Sequence, residues 1–276
     1  MKLLDRRGGF LERTLEALYA GLGRAVDAEH SAAGGGLLQR LDARVKVAGL
    51  FSLILAAALA TRLWVIAAIF AAAVVLAALS RIPFRVLAAR AWMGALAFTG
   101  VIALPALFLT PGDALYRLPG LHWTVTAQGF ATASYLLLRV ETAATLALLL
   151  VFTTPWMHVL KALRVFRVPV VLVAILGMAS RYILLLLQTA HEMFESRKSR
   201  SVGALAAAER RRMAVANAGV LLSRSFQLSG DVYLAMQARG FRGEVHLLDD
   251  FPMKRLDWAA LAGFAALVAA GVWAGR

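Results

Sequence analysis

Five apolar runs, each approaching the length that crosses a bilayer, limit what this chain can fold into. They cover residues 45–60, 63–80, 86–109, 128–154 and 258–273. A hydrocarbon core of about 30 Å asks for roughly 20 apolar residues in a helix. Hydrophobic residues make up 61% of the 276, far more than a soluble domain of this size carries. The expected fold class is all-α: a polytopic membrane protein with about five transmembrane helices and a domain of long helices in the cytosol or at the membrane surface. The first apolar run starts only near residue 45, so no cleavable signal peptide is visible. Cysteine is absent, which excludes disulfides and thiolate metal sites.

The net charge of +14 raises the question of nucleic acid, and the distribution of charge answers it. Basic residues crowd the N-terminal arm, the 81–90 loop with Arg81, Arg85 and Arg90, and the stretch from Lys161 to Arg255. The 61–63 turn has only Arg62 and the 110–127 loop only Arg117. Such alternation is the positive-inside pattern of a membrane protein, so no nucleic-acid partner is expected. It places the N-terminus and residues 155–255 in the cytosol, with the 110–127 loop and the C-terminus outside. Five spans fit that arrangement. Positive charge on the inner face also suits anionic lipid head groups.

Four regions are expected: a cytosolic N-terminal arm (1–44), a four-helix transmembrane region (45–154), a cytosolic helical domain (155–255) and a final transmembrane helix (256–276). In the arm, Leu11, Leu15, Leu18 and Leu22 recur at helical spacing, which predicts an amphipathic helix over 8–26. It would lie on the membrane, on a partner or on its own protein. Gly34-Gly35-Gly36 is a flexible break. Thr154-Pro155 is a helix restart, because Thr caps and Pro is tolerated at the first helical position. Three helices follow: a short amphipathic one over 155–167, a long one from 169 to about 200, and another from about 207 to 239. The long helix from 169 is expected to be buried at its apolar first half and cytosolic at its charged second half.

Two sets of charged residues stand out. Arg139 and Glu141 fall near the middle of the fourth run, where a charge costs about 2.5–3.5 kcal/mol on insertion scales. Residues two apart do not face each other on a helix, so these cannot simply pair. They either couple neighbouring helices or pack against remote partners. The other set is Ser199-Arg200-Ser201 and Ala238-Arg239-Gly240. Glycine just past a helix terminates it in a left-handed conformation. Gly240 follows Arg239 directly and Gly203 follows Arg200 by three. Each arginine thus falls in a last turn, where the helix dipole favours positive charge. One such end is an ordinary basic cap. Two, on consecutive long helices of a basic cytosolic segment, suit a partner with two equivalent acidic grooves, since the guanidinium fork matches carboxylates.

Ala235-Met236-Gln237-Ala238-Arg239-Gly240-Phe241 resembles the second coupling motif of the transmembrane T-component of energy-coupling factor (ECF) transporters. Ser196-Arg197-Lys198-Ser199-Arg200-Ser201 resembles the first, with Ser199 and Ser201 where alanine and glycine are common. Thr153-Thr154-Pro155-Trp156 also resembles the family. Leu38-Gln39-Arg40-Leu41-Asp42-Ala43-Arg44-Val45-Lys46 is similar to the cobalt-type (CbiQ) members, in which proline is usual in place of Ala43. The resemblance covers the chain from about residue 37. It implies a non-catalytic coupling subunit of the inner membrane. Two cytosolic ATP-binding subunits would dock on Arg200 and Arg239, and a separate membrane subunit would bind the substrate. It implies no cofactor in this chain, ATP being bound by the partners. Cobalt or nickel is the expected cargo, with a vitamin as the alternative.

Other chemistries find little support. No phosphate loop occurs, because Gly34-Gly35-Gly36 lacks the following Gly-Lys-Ser/Thr. His191-Glu192-Met193-Phe194-Glu195 has Glu195 where a zinc protease needs its second histidine, and the five histidines are scattered, so no metal site is expected. A stand-alone channel or secondary transporter would use Arg139 and Glu141 but also needs polar residues along several spans. Here the spans are mostly alanine, leucine and valine. A membrane enzyme acting on lipids would need more than Asp249 and Asp250 at the interface.

Overall fold

The computed structural model describes residues 34–82, 84–111, 113–117, 124–200, 207–241 and 253–275. The expected arm helix over 8–26, Ser201 and Gly203 lie outside them. A 3₁₀ turn, Leu38–Arg40, leads to α1 (Ala43–Leu59), α2 (Leu63–Leu79) and α3 (Phe84–Leu87). A π-helical turn, Ala88–Trp92, joins α3 to α4 (Met93–Leu109). Two short strands, β1 (Ala114–Arg117) and β2 (Thr124–Thr126), precede α5 (Ala127–Thr153). The order closes with α6 (Trp156–Val165), α7 (Val170–Arg200), α8 (Ala207–Ala238) and α9 (Arg255–Gly275).

The described chain divides into two compact units, 34–162 with 253–275, and 163–241. In the first, Val45, Leu50 and Leu53 of α1, Ile66 and Ile69 of α2, Leu146 and Leu149 of α5 and Phe264 of α9 form one buried core. The helix α1 packs against both α5 and α9. Gly49 makes the α1–α9 approach possible, because a Cβ there would stand 2.5 Å from the Phe264 ring. The start of α5 is set by Thr126, whose Oγ1 accepts from the Gly129 N–H at 3.1 Å and donates to the Thr110 carbonyl at 2.9 Å. That cap satisfies an orphan donor of the first turn. At the π-helical turn, Trp92 packs edge-on against Phe84 at 4.8 Å, and its Nε1–H donates to Thr145 Oγ1 at 3.3 Å.

The second unit is built on α7 and α8, of 31 and 32 residues. At about 1.5 Å per residue each is a rod of roughly 45 Å or more. Val173, Ala190 and Asn217 are buried, but long apolar side chains on both rods face outward.

Helix boundaries follow the expected runs within a few residues, and the fold is all-α as expected. Its 110–127 loop carries one short antiparallel pair, β1–β2, with Arg117 opposite Thr124. The β-branched run Thr124-Val125-Thr126 suits a strand. The apolar first half of α7 presents Val171, Leu172, Ile175 and Ile183 outward from the chain. A helix apolar all round suits lipid as its solvent. Among the described residues three helices have the length and hydropathy to cross a membrane: Ala127–Thr153, Val170–Met193 and Arg255–Gly275. Leu63–Leu79 and Met93–Leu107 are apolar but shorter.

Candidate functional site

The end of α8 carries the most completely determined of the expected site residues. Gly240 has φ +77°, the left-handed region that favours glycine. Its N–H donates to the Gln237 carbonyl at 2.9 Å, and the Phe241 N–H reaches back to the Met236 carbonyl at 3.0 Å. These paired bonds are the Schellman arrangement, which satisfies carbonyls that a helix end leaves orphaned. Ala238 is the last helical residue and Arg239 the cap, both exposed. With its backbone bonds closed and its side chain in solvent, Arg239 is held at the tip of a rigid rod, where the helix dipole favours its charge.

The corresponding end of α7 is built differently. Arg200 is its last residue, and its side chain lies outside the described set, as does Ser201. The Ser199 hydroxyl donates to the Glu195 carbonyl at 2.6 Å, a back-bond that keeps it on its own helix. No hydrogen bond among the described residues links Ser199 to Ala238, Arg239 or Gly240.

The two charges of α5 separate. Arg139 turns to the α1–α2 turn, where its Nη2 donates to the Ala60 carbonyl at 2.6 Å. Ala60 ends α1, so the guanidinium caps a carbonyl and meets the negative end of a helix dipole. Tyr135, one turn earlier in α5, stands with its ring 5.9 Å from Arg139 Cζ. Its hydroxyl donates to the Thr61 carbonyl at 2.7 Å and accepts from the Leu63 N–H at 3.1 Å. The Thr61 N–H in turn donates to the Gly275 carbonyl at 3.2 Å. Arg139 thus bonds a remote backbone carbonyl through Nη2, while its buried Nε has no hydrogen-bond partner among the described residues. Glu141 is 8% exposed, and neither carboxylate oxygen has a hydrogen-bond partner among the described residues. The adjacent hydroxyls are turned to backbone: Thr142 donates to the Leu138 carbonyl at 2.6 Å and Thr145 to the Glu141 carbonyl at 2.7 Å.

A third set of charges, absent from the expected site, gathers where three helix ends of the first unit meet. Asp42 caps α1 by accepting from the Arg44 N–H at 2.8 Å. The Asp42 N–H donates to Asp257 Oδ1 at 2.8 Å. Asp257 Oδ2 accepts from the Lys254 N–H, also at 2.8 Å, so one buried carboxylate joins the N-termini of α1 and α9. Lys46, 2% exposed, donates from Nζ to the Thr153 carbonyl at the end of α5, at 2.8 Å. Each charge meets the opposite end of a dipole: carboxylates at two helix N-termini and an ammonium at a C-terminus. The segments 38–46 and 153–156, far apart in the chain, are brought together here. The available signal was an Asp and a Lys four residues apart at the mouth of an apolar run, with one acid opening the last run. Among the described residues no group of three or more His, Cys, Asp or Glu is placed to hold a metal ion.

Comparison with known proteins places these features in a family. The CbiQ family model, described as cobalt transport protein, matches residues 35–247, which include α1 to α8 with both long rods, whereas Lys254, Asp257 and α9 lie beyond the match. The chain is also 32% identical over 237 residues to an uncharacterized protein of Methanocaldococcus jannaschii, covering 85% of this chain and 81% of that one. A bundle of apolar helices, a long-helix unit ending in an exposed arginine and a match across most of the length lead to one assignment: the chain belongs to the CbiQ family of cobalt transport proteins, membrane components of transport.

Proposed function

We propose that this chain is the transmembrane coupling subunit of an ATP-driven ECF uptake transporter, with cobalt or nickel ions as cargo. The observation that carries the reading is the end of α8, an exposed Arg239 fixed on a Schellman-terminated rod. Arg239 docks in an acidic groove of one cytosolic ATP-binding subunit, and Arg200 at the end of α7 docks in the equivalent groove of a second. ATP is bound and hydrolysed by those subunits, and this chain is non-catalytic. A separate membrane subunit binds the ion and reorients when the rods move. Long helices of this kind are the sort of element through which a displacement at the docking ends is passed on, as coupling through a two-state element requires. The chain lies in the inner membrane with its N-terminus in the cytosol, as the positive-inside distribution supports. Family membership supports cobalt as cargo.

The test is capture of partners from detergent-solubilised membranes. Tagged wild type co-purifies an ATP-binding protein and its ATPase activity. Arg239→Glu weakens that capture by about 100-fold or more, as expected for reversing an interfacial charge that meets an acidic groove. Arg200→Glu weakens it less, and both variants still insert in the membrane. Wild type that brings down no ATPase would sink the reading.

A further inference from the structure

We infer that the junction end of the bundle binds the phosphate groups of anionic phospholipids, with Arg40, Arg81, Lys254 and Arg255 as the ligands. The inference rests on membrane insertion alone and is independent of the coupling reading above.

Hydrogen bonds bring these four residues to one end of the first unit. The 3₁₀ turn that finishes with Arg40 is tied to the end of α2. There the Leu37 N–H donates to the Leu79 carbonyl at 3.3 Å, and Gln39 Nε2 donates to the Ser80 carbonyl at 3.0 Å. Arg40 and Arg81 each come directly after a member of that second pair. The Asp42 N–H, held by Asp257, joins the start of α1 to the start of α9, where Lys254 and Arg255 stand. All four side chains are exposed, and among the described residues none of them makes a hydrogen bond or an ion pair. The acids described at this end, Asp42 and Asp257, are both engaged by backbone N–H groups. The surface therefore carries four unmatched positive charges.

Its depth follows from the helices that meet there. Both α5 and α9 are long and apolar enough to cross a membrane, and this end is where α5 stops and α9 starts. A helix that crosses the hydrocarbon core leaves its terminal residues at the level of the head groups. Arg255 is the first residue of α9. Trp258, one turn on, is 60% exposed, and tryptophan collects at that level of the bilayer. Basic side chains placed there attract anionic lipids, and the guanidinium fork matches phosphate oxygens.

Arg81 adds an independent sign. Its φ is +54°. Its N–H donates to the Ala78 carbonyl at 3.0 Å, and the Ile82 N–H donates to the Ala77 carbonyl at 3.2 Å. This is the Schellman arrangement seen at the end of α8, where glycine occupies the left-handed position. An L-residue is strained in that conformation and glycine is not. Strain kept at an exposed, unpaired arginine points to work done by its side chain.

The test adds lipid to the delipidated, detergent-solubilised chain and follows its unfolding midpoint, which a ligand of the native state raises. Phosphatidylglycerol should raise the wild-type midpoint more than phosphatidylcholine does, and inorganic phosphate should leave it unchanged. Each neutralised side chain should weaken the apparent affinity for phosphatidylglycerol about fivefold, the effect of one basic residue near an anionic surface. Arg81→Gly separates binding from folding. Without lipid its midpoint should hold or rise, because the strain is relieved, while its affinity falls about fivefold. Arg62→Gln, at the other end of α2, should leave the affinity unchanged. If Arg81→Gly does not accumulate, the double variant Lys254→Gln/Arg255→Gln carries the test, with an expected loss of about 25-fold. Equal responses to the two lipids, a response to inorganic phosphate, wild-type affinity in these variants or an equal loss in Arg62→Gln overturns the site. So does unchanged lipid affinity with lost capture of another protein, which assigns the surface to a protein partner.

Discussion

The two units differ in what lies inside them. In the bundle of 34–162 and 253–275, apolar residues interlock in one core, and charges are assigned to helix ends: half-buried Arg139 to Ala60, buried Lys46 to Thr153, and buried Asp257 to Asp42 and Lys254, with Glu141 the exception. Both units leave large apolar groups in the open, Trp273 87% and Phe98 74% exposed in the bundle, Val215 73% and Phe226 70% on the rods, but the rods of 163–241 bury few side chains of their own. Exposed apolar surface on this scale marks contact with lipid or protein. The difference separates two kinds of constraint. The bundle is specified by contacts within the chain, whereas the rods are specified by secondary structure and by what they meet outside it.

Substitutions can break this contrast or sharpen it. The largest effect is expected from Asp257→Ala, which strands the Asp42 and Lys254 N–H groups and leaves Lys46 with less negative charge. Breaking a buried charged network costs about 3–5 kcal/mol, to be read as a lowered unfolding midpoint of the detergent-solubilised protein. Gly49→Val should come next, since its side chain meets the Phe264 ring. Overpacking of this kind costs about 1–3 kcal/mol, and the same unfolding measurement reports it. A smaller and local effect is expected from Gly240→Ala, because a left-handed conformation costs an L-residue roughly 1–2 kcal/mol. Hydrogen exchange should rise over 236–241, and capture of the ATP-binding partner should weaken, while the unfolding midpoint stays put. Phe226→Ser should change stability least, within about 0.5 kcal/mol, as for surface sites generally. A large drop there would erase the distinction between the units.

Sequence made the helices legible because apolar runs, caps and breakers are local signals. Asp42, Thr126 and Gly240 each act within a few residues of themselves, and each sits where a cap or stop was readable or could have been. The charged contacts of the bundle were not legible, for a physical reason. Arg139 and Lys46 donate to backbone carbonyls 79 and 107 residues away, and a carbonyl has no residue type to betray it. Asp257 and Asp42 meet across 215 residues, with a backbone N–H as the donor. The rule that residues two apart cannot pair did foretell that Arg139 and Glu141 would part. What covers the outward face of α7 was not legible, because an apolar run reads the same whether protein or lipid covers it. The β1–β2 pair was missed because its three-residue second strand is shorter than any periodicity can register.

The contact between Asp42 and Asp257 also sets an order of events during synthesis. Residues 43–153 can emerge and insert as helices, but α1 lacks the partner that fills the space beside Gly49 until Phe264 has been made. The whole of 163–241 is translated in that interval, so its rods can form while the bundle is still open along one side. Contacts of such long sequence separation are slow to form, and the nascent bundle waits with its first helix partly uncovered. Closure by α9 is then the late step that turns a row of inserted helices into a packed unit.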